Sequence, residues 1–177
     1  LPSEPEWEKA ARGGLDIPAQ PLIHPAARLG PGNGWQVDGK SLKMAQNPEP
    51  QRAYPWGEAF ERNFANVGET GVGSTNAPGC FPQNVSPYGV AEMSGNIWEW
   101  LRGLSGKYPY PASPKERAER ENLVANSNTA RVVRGGSFGN EARYARCAYR
   151  NWYDPDGRLR YYGFRVVVHS PGFLSRP

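Results

Sequence analysis

The most regular pattern of apolar and polar positions lies at the start of the chain and predicts a helix over residues 3–12. Ser3 and Glu6 have the S-x-x-E spacing of a capping box, in which each side chain bonds the backbone N–H of the other residue. Apolar residues then recur on one helical face, at Trp7, Ala10 and Ala11. Gly13 ends the pattern, as glycine commonly does after a last helical turn. We expect the apolar face to pack on the core.

Later in the chain, short apolar runs and alternating patterns predict strands. These predicted strands are Ile97–Leu101, Arg131–Arg134, Tyr144–Arg150 and Gly163–Val168. The last is nearly all apolar, so it is expected to be a central strand with both faces covered. Residues 105–128 are polar and charged, which predicts a surface loop with one helical turn.

Long stretches between these segments show no period. Residues 15–55 are rich in Pro and Gly and contain one hairpin signal, around Pro31–Gly34. Residues 56–90 continue as loops punctuated by Gly and Asn. So much irregular chain in a compact domain requires something to order it, such as metal ions or aromatic anchors.

The composition supports a folded, loop-rich protein. The 177 residues suit a single domain, residues 1–177, and include 21 Gly, 18 Pro, 6 Trp and 9 Tyr. Disordered chains are poor in aromatic residues, so this content argues for a packed core. The formal net charge is +4, with Lys and Arg spread along the chain, which indicates a solvated surface and no nucleic-acid partner.

Cys80 and Cys147 are the only cysteines, too few for a disulfide framework and not spaced as a zinc motif. They are expected either to pair with each other or, at least as readily, to be free, partly buried thiols. No run of residues is long and apolar enough to cross a membrane, and no signal peptide is visible. The sequence therefore leaves the compartment open between the bacterial cell surface and the cytoplasm.

Several segments, taken in order, resemble motifs of one protein family. They are Leu1–Gly14, Tyr54–Gly57, Asn63–Val67, Ser86–Trp100, Arg134–Phe138 and Tyr161–Arg165. The chain is similar in these segments to the formylglycine-generating enzyme (sulfatase-modifying factor) family. The resemblance implies an α+β, C-type-lectin-like fold, with a small twisted antiparallel sheet, few helices and much irregular structure. In that family the first helix of this chain lies inside the domain, so we expect an N-terminal part to be missing here.

The resemblance also implies which family activities to look for. The copper-dependent oxidases use two cysteines just after the motif at Arg134–Phe138, whereas this segment has only Cys147. The iron-dependent sulfoxide synthases need three histidine ligands, and this chain has only His24 and His169. We therefore expect a protein that is not an enzyme and requires no cofactor. A copper-dependent formylglycine-generating oxidase, a degenerate inactive relative and a regulatory or structural domain of a larger protein remain alternatives.

The segment Gly139–Tyr162 has the composition of a binding loop, rich in Tyr, Trp and Asn. It resembles the variable region of diversity-generating retroelement proteins, which lies at this place on the same fold. The residues expected to bind ligand are Asn140, Glu141, Tyr144, Tyr149, Asn151, Trp152, Tyr153, Asp154, Leu159, Arg160, Tyr161 and Tyr162. The resemblance implies a ligand-binding protein with a diversified surface, whose partner is a protein or a surface glycan. The alternative is core packing, since about half of the aromatic residues of a strand face inward.

Asn96 and Glu99 resemble calcium ligands of the family, and oxygen ligands of this kind suit Ca²⁺. Asn66, with Val67, resembles a second calcium site, although no acidic residue matches near residues 70–78. The alternatives are a turn for Asn96 and an ion pair with an arginine for Glu99. The neighbouring Trp98 and Trp100 are expected in the core, not stacked against a ligand.

Overall fold

The computed structural model describes residues 1–21, 42–126 and 128–167. Its helices are α1 (Glu4–Arg12) and α2 (Pro114–Arg120), with 3₁₀ turns at Gly68–Thr70 and Ala142–Ala145. Its strands are β1 (Asp16–Pro18), β2 (Met44–Gln46), β3 (Trp98–Leu104), β4 (Arg131–Arg134), β5 (Asn151–Tyr153) and β6 (Tyr162–Gly163). Much of the remaining described chain is irregular, as the sequence predicts. The hairpin expected around Pro31–Gly34 lies outside the described residues.

Helix α1 has the capping interactions that its sequence predicts. The Ser3 hydroxyl accepts a hydrogen bond from the backbone N–H of Glu6, and the Glu6 carboxylate accepts one from the backbone N–H of Ser3 at 2.7 Å. Trp7 and Ala11 are buried on one face. Gly13, with φ at +85°, ends the helix by donating its N–H to the carbonyl of Lys9. The predicted helix is therefore confirmed.

The main sheet has four strands in the order β5-β4-β3-β6. Its β3–β4 and β4–β5 pairs are antiparallel, whereas β3 and β6 are parallel. Strands β1 and β2 form a separate two-stranded sheet. The expected α+β fold with few helices and much irregular structure is confirmed, but the main sheet is mixed instead of wholly antiparallel.

The predicted strand at Tyr144–Arg150 is wrong. A 3₁₀ turn at Ala142–Ala145 precedes an irregular stretch, and the strand in this region is β5. Ala142 and Ala145 are both buried, and a spacing of three residues places side chains on one face of a 3₁₀ turn. The carboxylate of Glu69 holds the turn, because both of its oxygens lie 2.9 Å from the backbone N of Ala142.

The prediction of a central strand at Gly163–Val168 is also wrong. Strand β6 ends at Gly163 and lies at the edge of the sheet, while Val168 lies outside the described residues. Phe164 is 65% exposed and Val166 is 70% exposed. The side chain of Arg165 forms an ion pair with the carboxylate of Glu99. Residues 164–167 are therefore held by this ion pair and are not part of a strand.

Helix α1 covers one face of the main sheet. The core on this face consists of Trp7, Ala11, Met93, Leu101, Val132 and Cys147. A second cluster, formed by Ala65, Val67, Ala142 and Ala145, anchors the irregular part of the chain. Leu101 points toward α1, so strand alternation directs Trp98 and Trp100 toward the opposite face.

Candidate ligand-binding surface

The face of the sheet opposite helix α1 carries side chains from all four strands. Val133 is the register partner of both Trp100 and Asn151, so these side chains share one face. The ring of Tyr162 lies 5.3 Å from Trp100 and 4.8 Å from Tyr153. The register therefore brings together residues from β3, β5 and β6 that are up to 62 positions apart in the sequence.

A second row of rings lies beside the first. The ring of Tyr149 lies 4.9 Å from that of Tyr144 and 6.1 Å from that of Trp98. Trp98 is the register partner of Tyr162, which joins the two rows. Tyr161 in turn contacts the Tyr162 ring at 5.2 Å. We call the accessible rings the aromatic surface, consisting of Trp100, Tyr144, Tyr149, Tyr153, Tyr161 and Tyr162.

The exposure of these rings differs from that of core residues. None of the six Tyr and Trp side chains predicted to bind ligand is buried, and Tyr153 is 37% exposed. Trp98 is 1% exposed and belongs to the core, as expected. Trp100 is only half-buried, so the expectation that it lies in the core is wrong. Alternation in the sequence puts Trp100 on the same face as Trp98, so both are predicted to be buried. The position of Trp100 beside Tyr162 depends on the strand register, which the sequence does not give.

Trp152 does not belong to the aromatic surface. Its register partner is Val132, whose side chain packs in the core beneath helix α1. Trp152 therefore faces the α1 side of the sheet, at the edge, where it is 55% exposed. The predicted residues of strand β5 thus divide between the two faces of the sheet.

The backbone of residues 140–149 is held from outside the segment. The Ser94 hydroxyl donates to the carbonyl of Ala145 at 2.7 Å, and the Arg134 guanidinium donates to the carbonyl of Tyr149 at 2.7 Å. Backbone groups of Ala53 and Gly68 and side chains of Tyr54 and Glu69 make further bonds to its main chain. Because these bonds reach main-chain atoms, they do not depend on which side chains the tyrosine positions carry.

Asn140 differs from the other predicted binding residues, because its side chain is part of the scaffold. The Asn140 amide oxygen accepts hydrogen bonds from the Ser137 hydroxyl at 2.6 Å and from the Trp98 indole N–H at 2.8 Å. Such a doubly bonded amide fixes the local structure instead of offering itself to a ligand. The sequence gives no sign of this, since both partners depend on the fold.

The remaining predicted residues form an exposed rim that is polar except for Leu159. They are Glu141, Asp154, Leu159 and Arg160, with Asn151 half-buried between the rim and the rings. Glu141 makes an exposed ion pair with Arg143 at 3.1 Å, and the Arg143 guanidinium lies over the Tyr144 ring. The Arg160 guanidinium lies 5.5 Å from the centre of the Phe138 ring. The rim thus carries charges of both signs around an aromatic centre.

Asn66 and Asn96 lie in a group of oxygen atoms. The Asn66 amide nitrogen faces the carbonyl of Ser74 at 2.9 Å and the amide oxygens of Asn76 at 2.6 Å and Asn96 at 3.4 Å. Its own Oδ1 is buried without a hydrogen-bond partner among the described residues. Half a turn of the Asn66 amide would add a fourth neutral oxygen to this group, and oxygen atoms of this kind are the ligand type that Ca²⁺ takes.

The carboxylate of Glu99 contacts Arg165 and Trp7. Arg165 contacts both carboxylate oxygens, at 2.5 and 2.6 Å, and the Trp7 indole N–H donates to one of them at 2.6 Å. The structure therefore shows the ion pair with an arginine, the alternative that the sequence left open for this residue. Its assignment as a calcium ligand stays a prediction.

The cysteines do not form a paired thiolate site in this structure. Both are free, with Cys80 exposed and Cys147 buried. Burial raises the pKa of the Cys147 thiol to about 12, so at neutral pH it is a protonated core side chain. No group of three or more His, Cys, Asp and Glu side chains gathers in residues 1–21, 42–126 and 128–167. The donors among the described residues do not by themselves form a copper or iron centre, and His24 and His169 lie outside those residues.

The chain is similar to two enzymes in sequence and to one solved structure in fold, among others. It is 32% identical over 172 residues to a formylglycine-generating enzyme from Thermomonospora curvata, covering 95% of this chain and 48% of the relative. It is 34% identical to a hercynine oxygenase from Mycobacterium tuberculosis, covering 66% of this chain and 27% of the relative. The structure of Treponema denticola variable protein 1 shares the fold, with a TM-score of 0.51 and 24% identity over 93% of this chain and 45% of that chain.

These relatives correct one prediction from the sequence. The expectation that the protein is not an enzyme is wrong, because the sequence relatives that match most of the chain are enzymes. The chain spans about half or less of the length of these relatives. Among the described residues, neither helix is long and apolar enough to span a membrane. The model of the sulfatase-modifying factor enzyme 1-like domain matches residues 1–170, and the chain belongs to this family.

Proposed function

We propose that the aromatic surface and the rim around it bind a protein or a surface glycan. The observation that carries this proposal is that the backbone of residues 140–149 is held from outside the segment, while Tyr144 and Tyr149 stay partly exposed. Tyrosine and tryptophan provide a large contact area with little loss of rotamer entropy, and they dominate the energetics of many interfaces. A backbone fixed in this way also limits the entropy lost on binding.

A fixed backbone with partly exposed side chains suits a surface whose amino-acid sequence varies. Substitutions at Tyr144, Tyr149 or Tyr153 leave the main-chain bonds of the scaffold in place, so the fold tolerates different side chains there. This supports the proposal that residues 139–162 are a diversified region of the kind found in diversity-generating retroelement proteins. The shared fold of the Treponema denticola variable protein agrees with it. Asn140 is excluded from the variable set, because its amide bonds Ser137 and Trp98.

A randomised library tests this proposal. We would vary Tyr144, Tyr149, Tyr153, Tyr161 and Tyr162 together, display the variants and select for binding to hen lysozyme as a probe protein. We expect most variants to remain folded, with each Tyr→Ser change costing about 1 kcal/mol or less, because no buried hydrogen bond of the backbone is lost. Lysozyme binders are expected to appear, and protease resistance of the displayed domain measures folding.

The matched control varies five exposed positions of helix α2, residues 115–119. These positions are more exposed than the tyrosines and have no aromatic base, so this library is expected to give folded variants and few binders. The proposal is contradicted if the tyrosine library is largely unfolded, or if the α2 library gives lysozyme binders equally often.

A catalytic function is the second candidate, because the relatives over most of the chain are enzymes. Oxidation of a cysteine-containing peptide in the presence of copper and oxygen, followed by mass spectrometry, measures formylglycine formation directly. If this candidate is right, product forms, and Cys147→Ser and Cys80→Ser identify which thiol is required. Absence of product with both the unchanged protein and the variants contradicts an oxidase of this kind.

We also propose that Asn66 and Asn96 contribute to a calcium site. Neutral amide and carbonyl oxygens bind Ca²⁺ more weakly than carboxylates do, so affinity in the millimolar range is expected. At calcium concentrations about tenfold above that affinity, the melting temperature is expected to rise by about 3 °C. Scanning fluorimetry measures this increase, and Asn66→Ala should abolish it. An equal increase in magnesium, or in the Asn66→Ala variant, contradicts the site.

A further inference from the structure

A groove of about 790 Å³ lies on the outer side of helix α1, away from the aromatic surface. One wall is a stripe of the helix formed by Pro5, Glu8, Lys9 and Arg12. The other walls are Tyr108 with Tyr110, and Pro50 with Gln51. The stripe faces away from Trp7, so the helix separates the groove from the core. A groove of this size suits a small molecule.

Apolar surface in the groove lies open to solvent. Tyr108 is 48% exposed, and Leu15, at the end of the groove beside the helix C-terminus, is 78% exposed. The rings of Tyr108 and Tyr110 lie 6.5 Å apart, with Pro5 also in the lining. Flat or aliphatic groups would cover this surface and gain free energy from leaving water.

The charges around the groove do not balance. Lys9, Arg12, Arg134 and Arg150 provide four positive charges in and behind its helical wall. Among the described residues, only Glu4 and Glu8 form ion pairs with them, and each of these carboxylates is shared between two arginines. The excess is two positive charges, which favours an anion.

Two cationic groups in the lining are available to that anion. The Lys9 ammonium has no ion-pair partner among the described residues. Of the Arg12 guanidinium, only Nη1 meets a described carboxylate, that of Glu8 at 2.6 Å. Burial raises the pKa of the Tyr108 phenol, which keeps it protonated and able to donate a hydrogen bond. The Tyr110 hydroxyl, by contrast, already donates to Glu121 at 2.8 Å.

We propose that this groove binds a small organic anion, a carboxylate attached to a flat apolar group. The carboxylate contacts Lys9 and Arg12, and the apolar group lies against Tyr108. Neither contact involves the aromatic surface, so this site is independent of the proposed function. It also requires no residue outside the described chain.

Binding of three probes to the unchanged protein, measured by isothermal titration calorimetry, tests the site. The probes are indole-3-acetate, its neutral amide indole-3-acetamide, and acetate, which lacks the ring. Indole-3-acetate is expected to bind at least about tenfold more tightly than either other probe, because each of them loses one of the two contacts. Added salt is expected to weaken the binding of indole-3-acetate only.

Variants of the wall identify where the probe binds. Lys9→Gln is expected to weaken indole-3-acetate by about tenfold, the effect of one lost charge-assisted hydrogen bond. The matched control is Lys115→Gln on helix α2, which removes the same charge from an exposed residue that does not line the groove and is expected to change nothing. Equal binding of acid and amide, equal loss in both variants, or no saturable binding of indole-3-acetate at millimolar concentrations overturns the proposal.

Discussion

Replacing Glu4 by alanine is expected to lower the free energy of unfolding by about 3 to 5 kcal/mol. The Glu4 carboxylate is fully buried and accepts hydrogen bonds from Arg150 at 2.5 and 3.0 Å. It also lies 3.9 Å from the guanidinium of Arg134, which is itself fully buried. Removing the carboxylate leaves buried positive charge with too little compensation, because Glu8 is then the one described carboxylate that still contacts Arg134.

The same substitution is expected to loosen the candidate surface. Arg134 stacks on the Trp7 ring and donates to the carbonyl of Tyr149, so it links helix α1 to the segment that carries the tyrosines. Urea unfolding followed by tryptophan fluorescence measures the stability, and the protease sensitivity of residues 140–149 measures the loosening.

Glu119→Ala on helix α2 is the matched control. Glu119 is exposed, so its removal is expected to change the stability by about 0.5 kcal/mol or less. Glu4→Gln keeps the shape of the side chain and removes the charge, and it should also be strongly destabilising. A loss below about 1 kcal/mol in both Glu4 variants would show that the arginines are stabilised without this carboxylate.

The elements that could be predicted from the sequence are those determined by nearby residues. Helix α1 depends on Ser3, Glu6 and Gly13, all within one short segment, and its boundaries match the prediction. The segment Tyr144–Arg150 alternates like a strand, but its conformation depends on Glu69 and Ser94, which are distant in the sequence. Local periodicity contains no information about such contacts.

The candidate site shows the same limit. Aromatic density indicates a binding surface but leaves core packing open as the alternative, and only the structure shows that Tyr153 is 37% exposed. The sequence could not separate Trp152 from its neighbours or add Trp100 to them, because a one-residue difference in register exchanges the two faces of a sheet. The exposed Phe164 was expected in a central strand, since an apolar run does not reveal whether the chain stays paired.

Gly95→Ala is expected to lower the free energy of unfolding by about 3 kcal/mol. Gly95 has a φ of +83°, and a Cβ at this position would lie 2.5 Å from the backbone oxygen of Asn66. The backbone cannot move away, because the Gly95 N–H donates to the carbonyl of Gly135 and the Asn96 N–H donates to that of Asn66, both at 2.7 Å. Conformational strain and steric overlap therefore add, and urea unfolding measures their sum.

Gly79→Ala separates the two contributions, because Gly79 has a similar φ of +94° and open space around a Cβ. It is expected to cost only the left-handed strain, about 1 to 2 kcal/mol. The difference between the two variants then measures the close approach of Gly95 to Asn66. Because this approach positions Asn96 beside Asn66, Gly95→Ala should also abolish the stabilisation by calcium, which Gly79→Ala should retain. Equal destabilisation, with calcium stabilisation retained in both variants, would show that the loop at Gly95 adapts to a side chain.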